Sequence, residues 1–307
     1  MSAFFDAWPL FHDPALAGML AGALLGFLGV YVVLRRFVFL TAAISQAAGL
    51  GVATSFLLRL MVVAPLLASD GHAAHGGTSL AESVLFSLTS PTVGALAMTL
   101  LAILPITNGR VRGNARQDSY LGVVFLAGSA GTLAIGTRIV QELQDIQSLL
   151  FGSAVAVLPS DFKVLAGVAA LTLGVHIWGW RGFTAVSFDP DGAKVRGLPV
   201  RLLDLLLFVS LAVGISTSTR ILGALPTFGF SVLPAIAAVQ ISANVARAFI
   251  WATLFGAASG FLGYILAFVH ELPVGASQVL VAGAFVVVAV VAAKLRPGAQ
   301  RPVPKQA

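Results

Sequence analysis

The chain reads as apolar runs broken by short polar interruptions. A helix crossing a bilayer needs about 20 mostly apolar residues. Runs that meet this lie at about 14–34, 48–68, 84–105, 119–137, 162–180, 202–219, 222–241, 247–268 and 275–293. The pair 202–219 and 222–241 is separated only by the tight stretch Ser216–Arg220, so eight or nine spans are both admissible. The second run starts earlier than one crossing requires. From Phe37 to Ala68 there are 32 residues with Arg59 as the sole charge. In that run "FLTAAISQAAGLGVATSFLL" carries Thr41, Ser45 and Gln46, then Gly49 and Gly51. The pattern predicts a break, with a short segment near 37–47 and the true span from Gly49. Irregular backbone at membrane depth survives only where protein or a water-filled cavity satisfies it, which would turn Ser45 and Gln46 toward a pathway. The alternative is one helix whose polar residues pack against neighbours.

Composition fixes the class. Of 307 residues, 58% are hydrophobic and 10% charged, against about 25% charged in soluble domains. The expected fold is an all-α polytopic membrane protein of about 8–9 transmembrane helices. It forms a single membrane domain over 1–295, with a basic cytoplasmic tail over 296–307. The N-terminus has no basic n-region, and Asp6, His12 and Asp13 precede the first run, so it does not read as a cleaved signal peptide. Cysteine is absent, which removes disulfides and thiolate ligands.

The charges predict orientation. With the N-terminus outside, nine spans put Arg35, Arg36, Arg110, Arg112, Arg116, Arg181, Lys194, Arg196, Arg201, Arg247, Lys294, Arg296, Arg301 and Lys305 inside, 14 of the 18 basic residues. The same layout places Asp6, Asp13, Asp70, Glu82, Glu142, Asp145, Asp161 and Glu271 outside, with four of the five histidines. Such a face draws cations. The net charge of +6 is thus a topology signal, and no nucleic-acid partner is expected. Gly18, Gly22 and Gly26, with Gly256 and Gly260, have the four-residue spacing that brings membrane helices close together.

Individual residues add chemistry. Asp70, His72 and His75 in the outer loop form a candidate metal site, in a stretch also carrying Gly71, Gly76 and Gly77. His176, beside Trp178 and Trp180, reads as an interfacial anchor. Arg59 inside a span must pair or face a cavity, and joins Thr41, Ser45 and Gln46 as a candidate pathway residue. None of the four lysines lies in a Gly-Lys-Ser/Thr sequence, so nucleotide phosphates have no cradle here. Toward the inner face, "FDPDGAKVRGLPVRLLD" suits a short helix: Asp189 or Asp191 caps it, Gly197 ends it and Pro199 redirects the chain.

The order of segments resembles the ABC-3 family, permease subunits of bacterial ATP-driven importers of zinc, manganese and iron. Carrying the resemblance are the stretch from Val32 to Leu58, "SLLFGSAVAVLPSDF", "DPDGAKVRGLPVRLLDLLL", "ILGALPTFGFSVLPAIAA" and "ELPVGASQVLVAG". It implies the importer permease fold in the cytoplasmic membrane, a second copy of the chain and a cytoplasmic ATP-binding subunit holding ATP and magnesium. An extracytoplasmic metal-binding protein and no enzymatic activity of this chain are implied too. It makes Asp189, Asp191, Ala193, Lys194, Gly197, Leu198 and Pro199 the ATPase-coupling segment. The cargo would be a divalent metal ion, with zinc favoured for the outer histidines and manganese or iron next; no cofactor would reside in the chain itself. Where the family has Asp and His in its first bend, this sequence has Ala42 and Gln46. Against this stand an ion-coupled carrier, which needs ionisable groups at mid-membrane, and a non-transporting membrane scaffold.

Overall fold

Apolar segments in lipid must satisfy every backbone N–H and C=O within themselves, and the helix does so. The computed structural model describes residues 8–63, 84, 86–109, 111, 114–138 and 157–295, and its secondary structure is helical throughout. In chain order the helices are α1 (Trp8–Leu34), α2 (Val38–Leu58), α3 (Pro91–Thr107), α4 (Asn114–Gly136), α5 (Pro159–Trp178), α6 (Trp180–Phe188), α7 (Pro190–Val195), α8 (Val200–Leu222), α9 (Ala224–Ile241), α10 (Val245–His270) and α11 (Val274–Leu295). Eight of them are long and apolar enough to cross a membrane, and α3, with 17 residues, is a shorter apolar ninth. The short α6 and α7 project at the end of the bundle where α5 finishes and α8 begins.

The expected glycine contacts form. A Cβ at Gly22 would collide with the Gly256 carbonyl, one at Gly260 with the Gly18 carbonyl, and one at Gly26 with the Ala252 carbonyl. α1 and α10 therefore pack backbone against backbone. Gly29 meets the Ser231 carbonyl of α9 in the same way. Leu24, Leu25, Leu28 and Tyr31 of α1 are fully buried, which places α1 at the centre.

The predicted break in the second span does not occur. α2 runs unbroken from Val38 through Gly49 and Gly51 to Leu58, then loosens into a π-helical turn over Arg59–Val63. Its polar residues do not interrupt it, because the Thr41 hydroxyl donates to the Val38 carbonyl and the Ser45 hydroxyl to the Thr41 carbonyl. Such back-bonding spends the hydroxyl inside the helix. The glycines serve contact: Gly51 lies on the Gly94 carbonyl of α3, and Gly128 of α4 lies on Gln46 of α2.

Two further expectations are corrected. Ser216–Arg220 is no connection, since α8 continues through it and Arg220 pairs with Asp161 of α5 at 2.9 Å. The link is Gly223 alone, at φ 99° and ψ 165°, a backbone region open essentially to glycine. His176 is no interfacial anchor either. It is 0% exposed, its Nδ1 lies 2.9 Å from the Thr172 carbonyl, and its ring stacks on Phe183 at 4.3 Å. With Tyr31 and Phe27 also against it, it joins α5 and α6 to α1, and those two rings in turn meet Phe249 of α10.

Gly22→Leu and Gly256→Leu should each lower the thermal stability of the detergent-solubilised chain by more than the ~1–3 kcal/mol usual for an overfilled core, because the obstacle is backbone. Gly283→Leu, where an added Cβ meets nothing within 4 Å, is the control.

Candidate functional site

Three helices surround the best candidate for a passage. α2 contributes Ala42 and Gln46, one helical turn apart on one face. α4 contributes Phe125, Ser129 and Leu133, and the start of α9 contributes Ala224, Leu225 and Phe228; together they line a cavity of about 450 Å³. The Gln46 Oε1 accepts a long hydrogen bond from the Ser129 hydroxyl at 3.4 Å. These two neutral groups are the polar side chains in the lining. An amide and a hydroxyl can exchange hydrogen bonds with a passing group and lend an oxygen to a cation. They cannot compensate a charge as a carboxylate does. Among the described residues no group of three or more His, Asp or Glu is placed to hold a metal ion.

The candidates read from sequence separate here. Gln46 faces the cavity, whereas Thr41 and Ser45 are buried with their hydroxyls returned to their own helix. Arg59 stands at the far end of α2 from the α1–α2 turn. Its Nε donates to the Thr89 carbonyl at 3.0 Å and its Nη2 to the Phe86 carbonyl at 3.2 Å, with the guanidinium 4.2 Å above the Phe86 ring. Carbonyls and a ring face thus supply the partner the cation required. Asp70, His72 and His75 lie outside the described residues, as does most of the segment beginning at Ser148.

The α6–α7 hairpin has the local form its sequence announced. Asp189 is the cap, its Oδ1 accepting from the Gly192 N–H at 2.9 Å, and Pro190 occupies the first turn of α7. At the other end the Leu198 N–H reaches back to the Ala193 carbonyl at 3.1 Å and the Gly197 N–H to the Lys194 carbonyl at 3.0 Å. Gly197 carries the left-handed φ of 76° that this closure requires. Asp191, Lys194, Arg196, Gly197 and Pro199 are exposed, while Ala193 is only 3% exposed and faces inward. A contact surface on this hairpin is therefore built from Lys194, Val195 and Arg196. Val195, at 87% exposure, is the apolar member and was not singled out from sequence.

Sequence reasoning also missed Ser129, Phe125 and Phe228 in the cavity, and Asp204, an acid inside the expected span 202–219. The Asp204 carboxylate meets the Arg35 guanidinium at 2.6 Å. A charge within an apolar run was the available signal.

The sequence model described as the ABC 3 transport family matches residues 8–70 and 67–293. The "Chelated iron transport system membrane protein YfeD" of Yersinia pestis is 25% identical over 293 residues, 95% of this chain and 88% of that protein. The "Manganese import system permease protein ScaB" of Streptococcus parasanguinis is 24% identical over 289 residues, 93% of this chain and 92% of that protein. Among solved structures, PsaBC from Streptococcus pneumoniae in complex with Fab superposes with a TM-score of 0.75 at 25% identity, covering 94% of each chain.

Ala42→Asp combined with Gln46→His would put a carboxylate and an imidazole one turn apart in the cavity. The double variant should bind zinc(II) at least about tenfold more tightly than the unaltered chain, a gain of ~1.4 kcal/mol, measured by calorimetry in detergent.

Proposed function

This chain belongs to the ABC 3 transport family, and from that premise we propose that it is the membrane-spanning subunit of an ATP-driven importer of divalent transition-metal ions. It is a multi-pass protein of the bacterial cytoplasmic membrane. It is a transport subunit, and ATP is hydrolysed on a separate chain. The observation that carries the mechanism is α7, a six-residue helix closed at both ends, presenting exposed Val195 between Lys194 and Arg196.

In this reading the N-terminus is outside and the C-terminus inside, so α6 and α7 are cytoplasmic, in keeping with the lysine and arginine distribution. α7 seats in a groove of the ATPase, with magnesium and ATP held entirely by that subunit. Two copies of the chain flank a central path, and an extracytoplasmic binding protein delivers the cargo. The cavity of Ala42, Gln46 and Ser129 lies on the route. Manganese and iron become the leading ions, since the two relatives named above carry those names. The argument for zinc rests on His72 and His75, outside the described residues.

The test is uptake of manganese(II), iron(II) and zinc(II) into vesicles holding the chain, its ATPase and its binding protein. Uptake should require ATP, and accumulation without ATP would replace this reading with an ion-coupled carrier. Val195→Glu should reduce co-purification of the ATPase by roughly tenfold, the effect of losing ~1.4 kcal/mol at an interface. It should leave the thermal stability of the chain unchanged, because the side chain is exposed. Ala193→Trp would instead destabilise the hairpin, since Ala193 is packed inside it.

A further inference from the structure

At the α6–α7 end, one guanidinium joins three elements that lead to different places. Arg35 stands in the turn between α1 and α2, and its side chain is 9% exposed. Its Nε donates to the Ser187 hydroxyl at 3.0 Å and its Nη1 to the Asp204 carboxylate at 2.6 Å. Ser187 is the penultimate residue of α6, two before the cap of α7, and its own hydroxyl is tied to the Phe183 carbonyl at 2.6 Å. Asp204 lies in the second turn of α8.

Two of these elements lead from Arg35 to the cavity described above. α2 begins at Val38 and carries Ala42 and Gln46 on one wall. From Asp204, α8 runs to Leu222 and passes through Gly223 directly into Ala224, Leu225 and Phe228 of α9, which also line the cavity. The pair therefore ties the foot of α2, which lines the cavity, to the foot of α8, which continues through Gly223 into the cavity-lining start of α9.

The joint has room to work. Arg35, Ser187, Pro190 and Asp204 border a space of about 770 Å³. Asp204 also borders a second of about 480 Å³, beside Asn108 and Arg201. The Arg35 Nη2 is buried with no partner among the described residues, and so is the Gln117 Nε2 of α4 in the lining of the larger space. A guanidinium engaged through one nitrogen on a carboxylate can take a second bond in a fork when its partner shifts. With the Asp204 side chain 36% exposed, such a pair contributes little net stability. Its value lies in the arrangement it enforces.

We propose that the Arg35–Asp204 pair, with Ser187, is the positioning joint that converts displacement of the α6–α7 hairpin, carried along α8, into a change in separation of α2 and the start of α9 at the cavity. The inference rests on the docking of the ATPase on α7. Its test uses the full chain reconstituted in vesicles with its ATPase and binding protein, manganese(II) being the cargo. Asp204→Asn, nearly the same shape, and Arg35→Gln should each cut manganese uptake roughly tenfold, within the range of couplings between sites. ATP hydrolysis and ATPase co-purification should stay within about twofold of the unaltered complex. Spin labels on α2 and on the start of α9 should lose their nucleotide-dependent distance change in both variants, while a pair reporting on α7 and the ATPase keeps its own. Uptake unchanged in Asp204→Asn, or uptake and hydrolysis falling in proportion, overturns the joint; Asp204→Asn decides if Arg35→Gln does not assemble. Unaltered complex that accumulates manganese without ATP overturns the importer reading itself, and the joint with it.

Discussion

The bundle depends on how closely two helices can approach in a solvent that does not push them together. Lipid chains are as apolar as leucine, so association rests on dispersion between backbones that fit. α1 and α10 meet this through Gly18, Gly22, Gly26, Gly256 and Gly260, whose missing Cβ atoms leave space for the facing carbonyls. With α1 held there, its other faces carry Leu24, Leu28 and Tyr31 into contact with the surrounding helices. Gly29 then brings α9 in on Ser231. The three-helix core so formed is the frame against which α2 and α8 are placed.

Much of this was legible. Apolar run length gave the described spans except the second, which starts at Val38 instead of near Gly49, and glycine spacing gave the α1–α10 seam. Asp189, Gly197 and Pro199 gave the hairpin, because caps and left-handed closures depend on neighbours in sequence. The errors share one cause, that a polar residue in an apolar run has several ways to be satisfied. Thr41 and Ser45 suggested a break and instead turned back on their own helix. His176 suggested an interface and is enclosed by rings contributed from α1 and α6. Arg35 looked like a topology signal, and only tertiary structure shows that it meets Asp204, 169 residues away.

The candidate passage is the least polar part of the molecule to which a function attaches. Charge is concentrated instead at the helix feet, in Arg35, Asp204 and the residues of α7, and at the opposite end in Arg59 and the Arg220–Asp161 pair. Ions held at the extremities and neutral groups between them suit a path that must bind its cargo weakly in transit. A site that gripped a divalent ion at mid-depth would retain it.

Gly223 has a consequence of its own. Because a single residue links α8 to α9, the connection is short, and the Thr227 hydroxyl donates to the Gly223 carbonyl at 2.7 Å. Gly223 is thus a one-residue elbow between the two helices. Lengthening that elbow by a few flexible residues would leave both arms folded and the cavity lined by the same side chains, yet sever one end of the machine from the other.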